Sequence, residues 1–186
     1  MDPLTLPLIL IKKSIVIDCV VILNGEGKMK LVTSEMLDEL AARAGETKRL
    51  RINYNIHESL SDPVQRLFIA AEPHSYFRPH RHLGKSEFAM VLRGLFDVLI
   101  FDDDGVVTER ISIGQDTGIL GLEIPADQCH TWIPRSEQSV FFEVKQGPYD
   151  PATSLVFAPW SPEEGSDQVM EFQTKLLAAS VGKRVE

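Results

Sequence analysis

The stretch "PHRHLGKSEFAMVLRG", residues 79–94, carries the reading of the fold. It sets two histidines one residue apart, then a short polar loop, a glutamate, an apolar run and a glycine, in a chain with only five histidines. Side chains of an extended strand alternate between its two faces, so His80 and His82 point to one side and Arg81 to the other. If the chain turns through "LGKS" and re-enters a strand, Glu87 joins the histidines' face with Ala89 and Val91. Phe88, Met90 and Leu92 then take the opposite surface. Gly94 ends the strand where a side chain would obstruct the turn into "LFDVLIF".

The surrounding text has the same rhythm. "VQRLFIAAE", "SYFRPHRH", "LFDVLIFDDDG", "VVTERISIG", "GLEIPADQCHTWIP" and "SVFFEVKQGPYDP" are short apolar runs cut by Gly, Asp and Pro, the pattern of a β-sandwich or barrel. "FDDDG" reads as a hairpin turn; as a calcium loop it lacks the remaining ligand positions. Ahead of the strands, "TSEMLDELAARAG" has a cap in Thr33 or Ser34, Leu37, Leu40, Ala41 and Ala44 at helical spacing, and a terminating Gly45. After them, "SDQVMEFQTKLLAAS" places Val169, Phe172 and Leu176 on one helical face. The expected organisation is an N-terminal extension over 1–28, a strand, an arm or a dispensable addition, with Met29 as an alternative start. A domain over 29–165 and a C-terminal helix and tail over 166–186 follow.

A chain of 186 residues is enough for one domain with a full core. Its formal charge of -8 repels phosphate backbones and anionic lipid, which argues against nucleic acid as a partner. In "LPLILIKKSIVIDCVVIL" the residues Lys12, Lys13 and Asp18 break the apolar run short of the ~20 residues a membrane span needs. Cys19 and Cys129 form no CxxC pair, which fits a reducing cytoplasm.

The two histidines and Glu87 need a further ligand to make a firm site, and His130 in "PADQCHTWIP" is the best candidate. Three imidazoles and a carboxylate suit one divalent transition ion, manganese, iron, nickel or zinc, and leave positions open for water or substrate. By alternation Cys129 then points away from the metal as a small buried hydrophobe.

This arrangement, HxH, four residues, Glu, six residues, Gly, and a later strand histidine, resembles the two motifs of the cupin superfamily. The resemblance rests on His80, His82, Glu87 and Gly94, with Pro125 and His130. It implies a double-stranded β-helix (jelly-roll) barrel in which the three histidines and Glu87 bind one metal. Where those motifs carry glycine, this chain has His74 and Asp127, and it has Pro134 in place of an asparagine. "RINYNIHESLSDPVQRLFIAAEP", "FEVKQGPYDP" and "FAPWSPEEG" further resemble the WbuC-type cupin metalloproteins, encoded near O-antigen polysaccharide genes. The fold expected is therefore all-β, a cupin barrel with a short N-terminal and a C-terminal helix. Cupins commonly pair through their sheets, which implies a homodimer.

The remaining candidates have two readings each. Arg51, Asn53, Asn55 and His57 share the polar face of a strand that lines the cavity mouth or faces water. Glu143 and Lys145 enter the barrel or lie on an exposed edge; the sequence alone favours the edge, the resemblance the interior. Arg66 clamps an anionic substrate or pairs with surface acids. The candidate catalytic groups are thus Glu143, Lys145 and His57, and the candidate substrate contacts are Asn53, Asn55, Arg66 and Tyr149. His74 is assigned a structural role or none. The leading function is a metal enzyme for a small polar substrate such as a sugar or sugar nucleotide, by isomerisation, epimerisation or oxygenation. The alternatives are a dioxygenase in particular, a non-catalytic metal-bearing binder or sensor, and, more weakly, a metal-free epimerase. Charged groups within reach of the metal would favour an enzyme, and a dry apolar lining a binder.

Overall fold

Runs of alternating polarity can satisfy both faces only by pairing into sheets that bury one side, and the computed structural model, which describes residues 22–23 and 29–185, shows how they do so. In chain order the first elements are β1 (Ile22–Leu23), β2 (Met29–Lys30), α1 (Ser34–Glu46), β3 (Arg51–Asn55), β4 (Val64–Ala71), β5 (His80–Arg81) and β6 (Glu87–Arg93). They are followed by β7 (Leu95–Phe101), β8 (Val107–Gly114), β9 (Gly121–Ile124), β10 (Cys129–Pro134), β11 (Ser139–Gln146), β12 (Val156–Phe157) and α2 (Val169–Ala178). The expected extension over 1–28 lies outside the described residues except for β1, which pairs with β2. Among the described residues no helix is long and apolar enough to cross a membrane.

Two five-stranded antiparallel sheets result, β12-β5-β10-β7-β8 and β3-β4-β11-β6-β9. The eight strands β4 to β11 give the order β5-β10-β7-β8 opposite β4-β11-β6-β9, the double Greek key of a jelly roll. This is the barrel the sequence predicts, with a helix at either end of the chain.

Alternation on β6 is as expected: Glu87, Ala89 and Val91 are buried, while Phe88 and Met90 are exposed. Between the sheets, Ala89 and Val91 pack with Phe96, Val98, Trp132 and Phe141, the last two rings stacked at 4.3 Å. On the outer face of β4 and β11, Phe68, Ala70 and Val140 receive Met36, Leu40, Ala41 and Ala44 of α1. The Thr33 hydroxyl caps this helix by accepting the Met36 N–H. Gly45 does not end it; the helix runs on to Glu46, where the Thr47 N–H and hydroxyl both donate to the Ala44 carbonyl.

At the other end Phe172 and Leu176 of α2 pack with Leu99, Phe101 and Cys129. The Arg110 guanidinium donates to the Leu177 and Ala179 carbonyls at the C-terminus of α2 while paired at 2.6 Å with the buried Asp97. A cation there meets both the unpaired carbonyls and the negative end of the helix dipole.

Turns decide where the site residues emerge. His74 and Asp127, which stand in glycine positions of the motifs, have φ of 71° and 66°, so the left-handed turn is kept without glycine, as histidine and aspartate tolerate. Asp127 earns its place: its N–H donates to the His82 carbonyl and its Oδ1 accepts the Gly84 N–H, tying the loop after His82 to the turn before β10. Asp102 Oδ1 accepts the N–H groups of Asp104 and Val106, which makes "FDDDG" the hairpin turn expected.

Gly94, between β6 and β7, has φ of 75°, and a Cβ there would lie 2.9 Å from the Ser139 Cα. Gly94→Ala should therefore cost about 2–4 kcal/mol of unfolding free energy, measured by urea denaturation; a change within error of zero would contradict the packing described.

Candidate metal centre

His80 lies on β5 directly opposite His130 on β10, His82 follows β5, and Glu87 begins β6 on the facing sheet. Strands from both sheets thus deliver the four side chains to one end of the barrel interior. Imidazole centroids are separated by 4.6 Å (His80 to His130), 5.1 Å (His80 to His82) and 5.9 Å (His82 to His130). One nitrogen from each ring lies within 4.8 Å of the other two. Glu87 Oε2 is 2.9 Å from His82 Nε2, and Oε1 is 3.0 Å from His130 Nε2.

These contacts have the length of hydrogen bonds but not their direction: His82 Nε2, His130 Nε2 and Glu87 Oε2 are buried without an aligned partner. Buried polar atoms are rarely left so, and a shared cation is what four converging donors of this kind accommodate. The opposite ring nitrogens explain the orientation. Nδ1 of His80, His82 and His130 lies 2.9 Å from the Arg78, Ser154 and Gln128 carbonyls respectively. A carbonyl only accepts, so each Nδ1 carries the hydrogen and each Nε2 presents its lone pair inward. The residues present fit a divalent transition ion.

Without an ion the cluster shares its charge unevenly. Burial, then the neighbouring His130, hold His80 well below its ordinary value. Burial alone would lower His130, but the adjacent Glu87 carboxylate carries it above the ordinary histidine value. Burial alone would raise Glu87, but the His130 and His82 imidazoles keep it well below the usual carboxylate range.

The centre opens on a cavity of about 360 Å³. Register places Lys145 beside Glu87 and Glu143 beside Ala89 on neighbouring strands, so both enter the barrel, and the exposed-edge reading of this pair is overturned. Glu143 is 5% exposed and ion-paired with Lys145. Burial, then the nearby Glu87, raise the Glu143 carboxyl above its ordinary value; Lys145 stays above its own because Glu143 and Glu87 outweigh its burial.

Asn53, Asn55, His57 and Tyr149 also line the cavity, Asn53 Nδ2 donating to Asn55 Oδ1 at 2.9 Å. The His57 Nδ1 lies against the Arg66 backbone, and its Nε2 is buried with no protein partner. Arg66 does not belong with them. On β4 it alternates with Gln65 and Leu67, which face the cavity, so its own side chain stands exposed on the outer face. The arginines in the cavity wall are Arg49, Arg51 and Arg78; Arg51 lies on the polar strand face for which the sequence leaves cavity and water open, and Arg49 and Arg78 are not sequence candidates. Alternation would have revealed Arg78, two residues before His80. The Ser154 carbonyl behind His82 leaves no trace in side-chain patterns. Cys129 is buried in the outer cluster, away from the cavity, where burial pushes its thiol up to about 11.

A family described as a domain of unknown function, DUF6016, matches residues 32–113. Comparison with curated proteins gives no match. Solved structures similar to this chain include the capsular polysaccharide assembling protein CapF from Staphylococcus aureus, at 16% identity and a TM-score of 0.48, covering 56% of this chain and 28% of that one. KdgF from Halomonas sp. is 16% identical with a TM-score of 0.41, covering 55% of this chain and 82% of that one. Oxalate decarboxylase from Lactobacillus farciminis is 17% identical with a TM-score of 0.41, covering 52% and 27%. The chain thus spans under a third of CapF and of that decarboxylase. The fold assignment rests on the strand order.

Two outcomes check the centre. Protein purified without added metal should carry about one transition ion by elemental analysis, and His82→Ala should lose most of it; equal content in both would remove the site. A proton competes with the ion for His130 Nε2, whose affinity for protons is raised. Metal affinity should therefore fall by about tenfold per pH unit as pH drops below that raised value, measured by chelator competition.

Proposed function

We propose that this protein is a cupin-type metalloenzyme acting on a small polar substrate, a sugar or sugar nucleotide of O-antigen polysaccharide biosynthesis, as the WbuC-type motifs imply. The observation that carries the proposal is the convergence of three backbone-oriented imidazoles and Glu87 at the floor of a cavity whose wall holds an ion-paired Glu143 and Lys145. Buried titratable groups beside a metal cluster at sites of proton transfer, which supports the enzyme over the binder.

His80, His82, Glu87 and His130 would hold the ion, which supplies Lewis acidity toward a substrate oxygen. Glu143, whose affinity for a proton burial and Glu87 raise, would take up and return a proton, and Lys145 stabilises the carboxylate when that proton has left. His57 Nε2 is available to the substrate from the wall. At the mouth the Asn53 and Asn55 amides and the Tyr149 hydroxyl suit the hydroxyl groups of a sugar. The exposed Phe88 and Met90 on the outer face of β6 support pairing of two copies through this sheet, and a cytoplasmic homodimer is the form proposed.

The test is a screen of sugars and nucleotide sugars for turnover by metal-loaded and chelator-treated protein. Turnover should require metal, and Glu143→Gln should retain the ion yet lose about 100-fold or more in rate. Wild-type turnover by a metal-replete Glu143→Gln variant would remove this carboxyl from the mechanism.

A further inference from the structure

We propose that the Arg78 guanidinium is a preformed oxyanion seat in the metal cavity, so that the ligand carries a carboxylate or phosphate group; this rests on the reading of the cavity as a substrate site. Pro79 disfavours helical backbone at Arg78, and the Arg78 side chain lines the same cavity as that of His80 two residues on. There it is fixed before any ligand arrives. Its Nε–H donates to the Ser161 hydroxyl and its NH2 to the Ser161 carbonyl, both at 3.1 Å, and the guanidinium lies over the Phe157 ring at 4.7 Å. Ser161 is itself buried, its hydroxyl donating to the Ala158 carbonyl.

Those bonds leave NH1 and one hydrogen of NH2 uncommitted. Among the described residues Arg78 has no carboxylate partner, in contrast to the two other arginines of the same wall. Arg49 holds Glu164 through two hydrogen bonds of 2.6 and 2.9 Å, and Arg51 adds a third at 2.9 Å. Glu164 therefore satisfies that pair internally and leaves Arg78 for a ligand. The cavity as a whole sets four cationic side chains against three carboxylates, in a chain whose formal charge is -8, and a divalent ion adds to the excess.

A guanidinium held in one plane with donors pointing the same way suits two oxygens of one anion. Arg78 lines the same cavity of about 360 Å³ as His80 and His82, so one small phosphorylated or carboxylated molecule could meet the guanidinium and the metal together.

The experiment titrates metal-loaded wild type, Arg78→Met and Arg78→Lys with inorganic phosphate and with acetate at constant ionic strength, following chemical shifts, with metal content and melting temperature recorded for each. Wild type should bind at least one of the two anions, Arg78→Met should bind it at least tenfold more weakly, and Arg78→Lys should fall between. Stronger binding of phosphate would identify a phosphate ester, and of acetate a carboxylate. Binding of neither anion, or equal affinity in wild type and a folded, metal-replete Arg78→Met, would overturn the seat while leaving the metal site standing. Arg78-dependent binding in a wild type that carries no ion would instead sink the metal reading alone.

Discussion

The rings of His80, His82 and His130 are each tethered from behind by a backbone carbonyl, and the geometry of the cavity follows from those three hydrogen bonds. They choose the tautomer, set the plane of each ring and aim the remaining lone pair inward. Two tethers are local, since Arg78 and Gln128 precede their histidines by two residues. The third reaches Ser154, 72 residues beyond His82, and exists only once the barrel has closed and the chain after β11 has folded back over it. Assembly of the centre is thus tied to completion of the fold.

Burying so many polar groups at one end of a barrel is costly, and this protein limits the cost by pairing them in rows. Side chains on neighbouring strands of one sheet stand within about 5.5 Å of each other, so Lys145 lies beside Glu87 and, one step along its own strand, beside Glu143. A lysine between two carboxylates shares its charge with both, which offsets the cost of keeping Glu143 buried. On the same sheet Glu143 stands beside Ala89, and one row further in Phe141 stands beside Val91, where the apolar core begins. Polar and apolar layers therefore differ by a single step of the alternation.

Much of this was legible beforehand because period two is a strong signal. It gives the faces of β6 and the shared side of His80 and His82, and it groups Asn53, Asn55 and His57 on one polar face without deciding whether that face lines a cavity or meets water. It left Glu143 and Lys145 undecided, because alternation tells which residues share a side without telling which side is inside, and strand order is a long-range property. The same limit applies to Arg66: alternation separates it from Gln65, and only the structure shows that Gln65 is the one facing the cavity. Glu164 and Ser161 had no periodic signal at all, lying in irregular chain whose position is set by tertiary contacts. The left-handed turns at His74 and Asp127 show that a missing glycine need not mean a changed loop.

Ser154, Phe157, Ser161 and Glu164 all follow the last of the eight barrel strands. A chain cut after Gln146 would keep every strand of the jelly roll and each of the four inward donors. It would lose the carbonyl behind His82, the aromatic ring beneath Arg78 and the hydroxyl that steadies it, and the carboxylate that neutralises Arg49 and Arg51. The polypeptide beyond the barrel is accordingly a wall of the cavity rather than a trailing appendage, and a minimal β-domain cut from this protein would be a vessel open on one side.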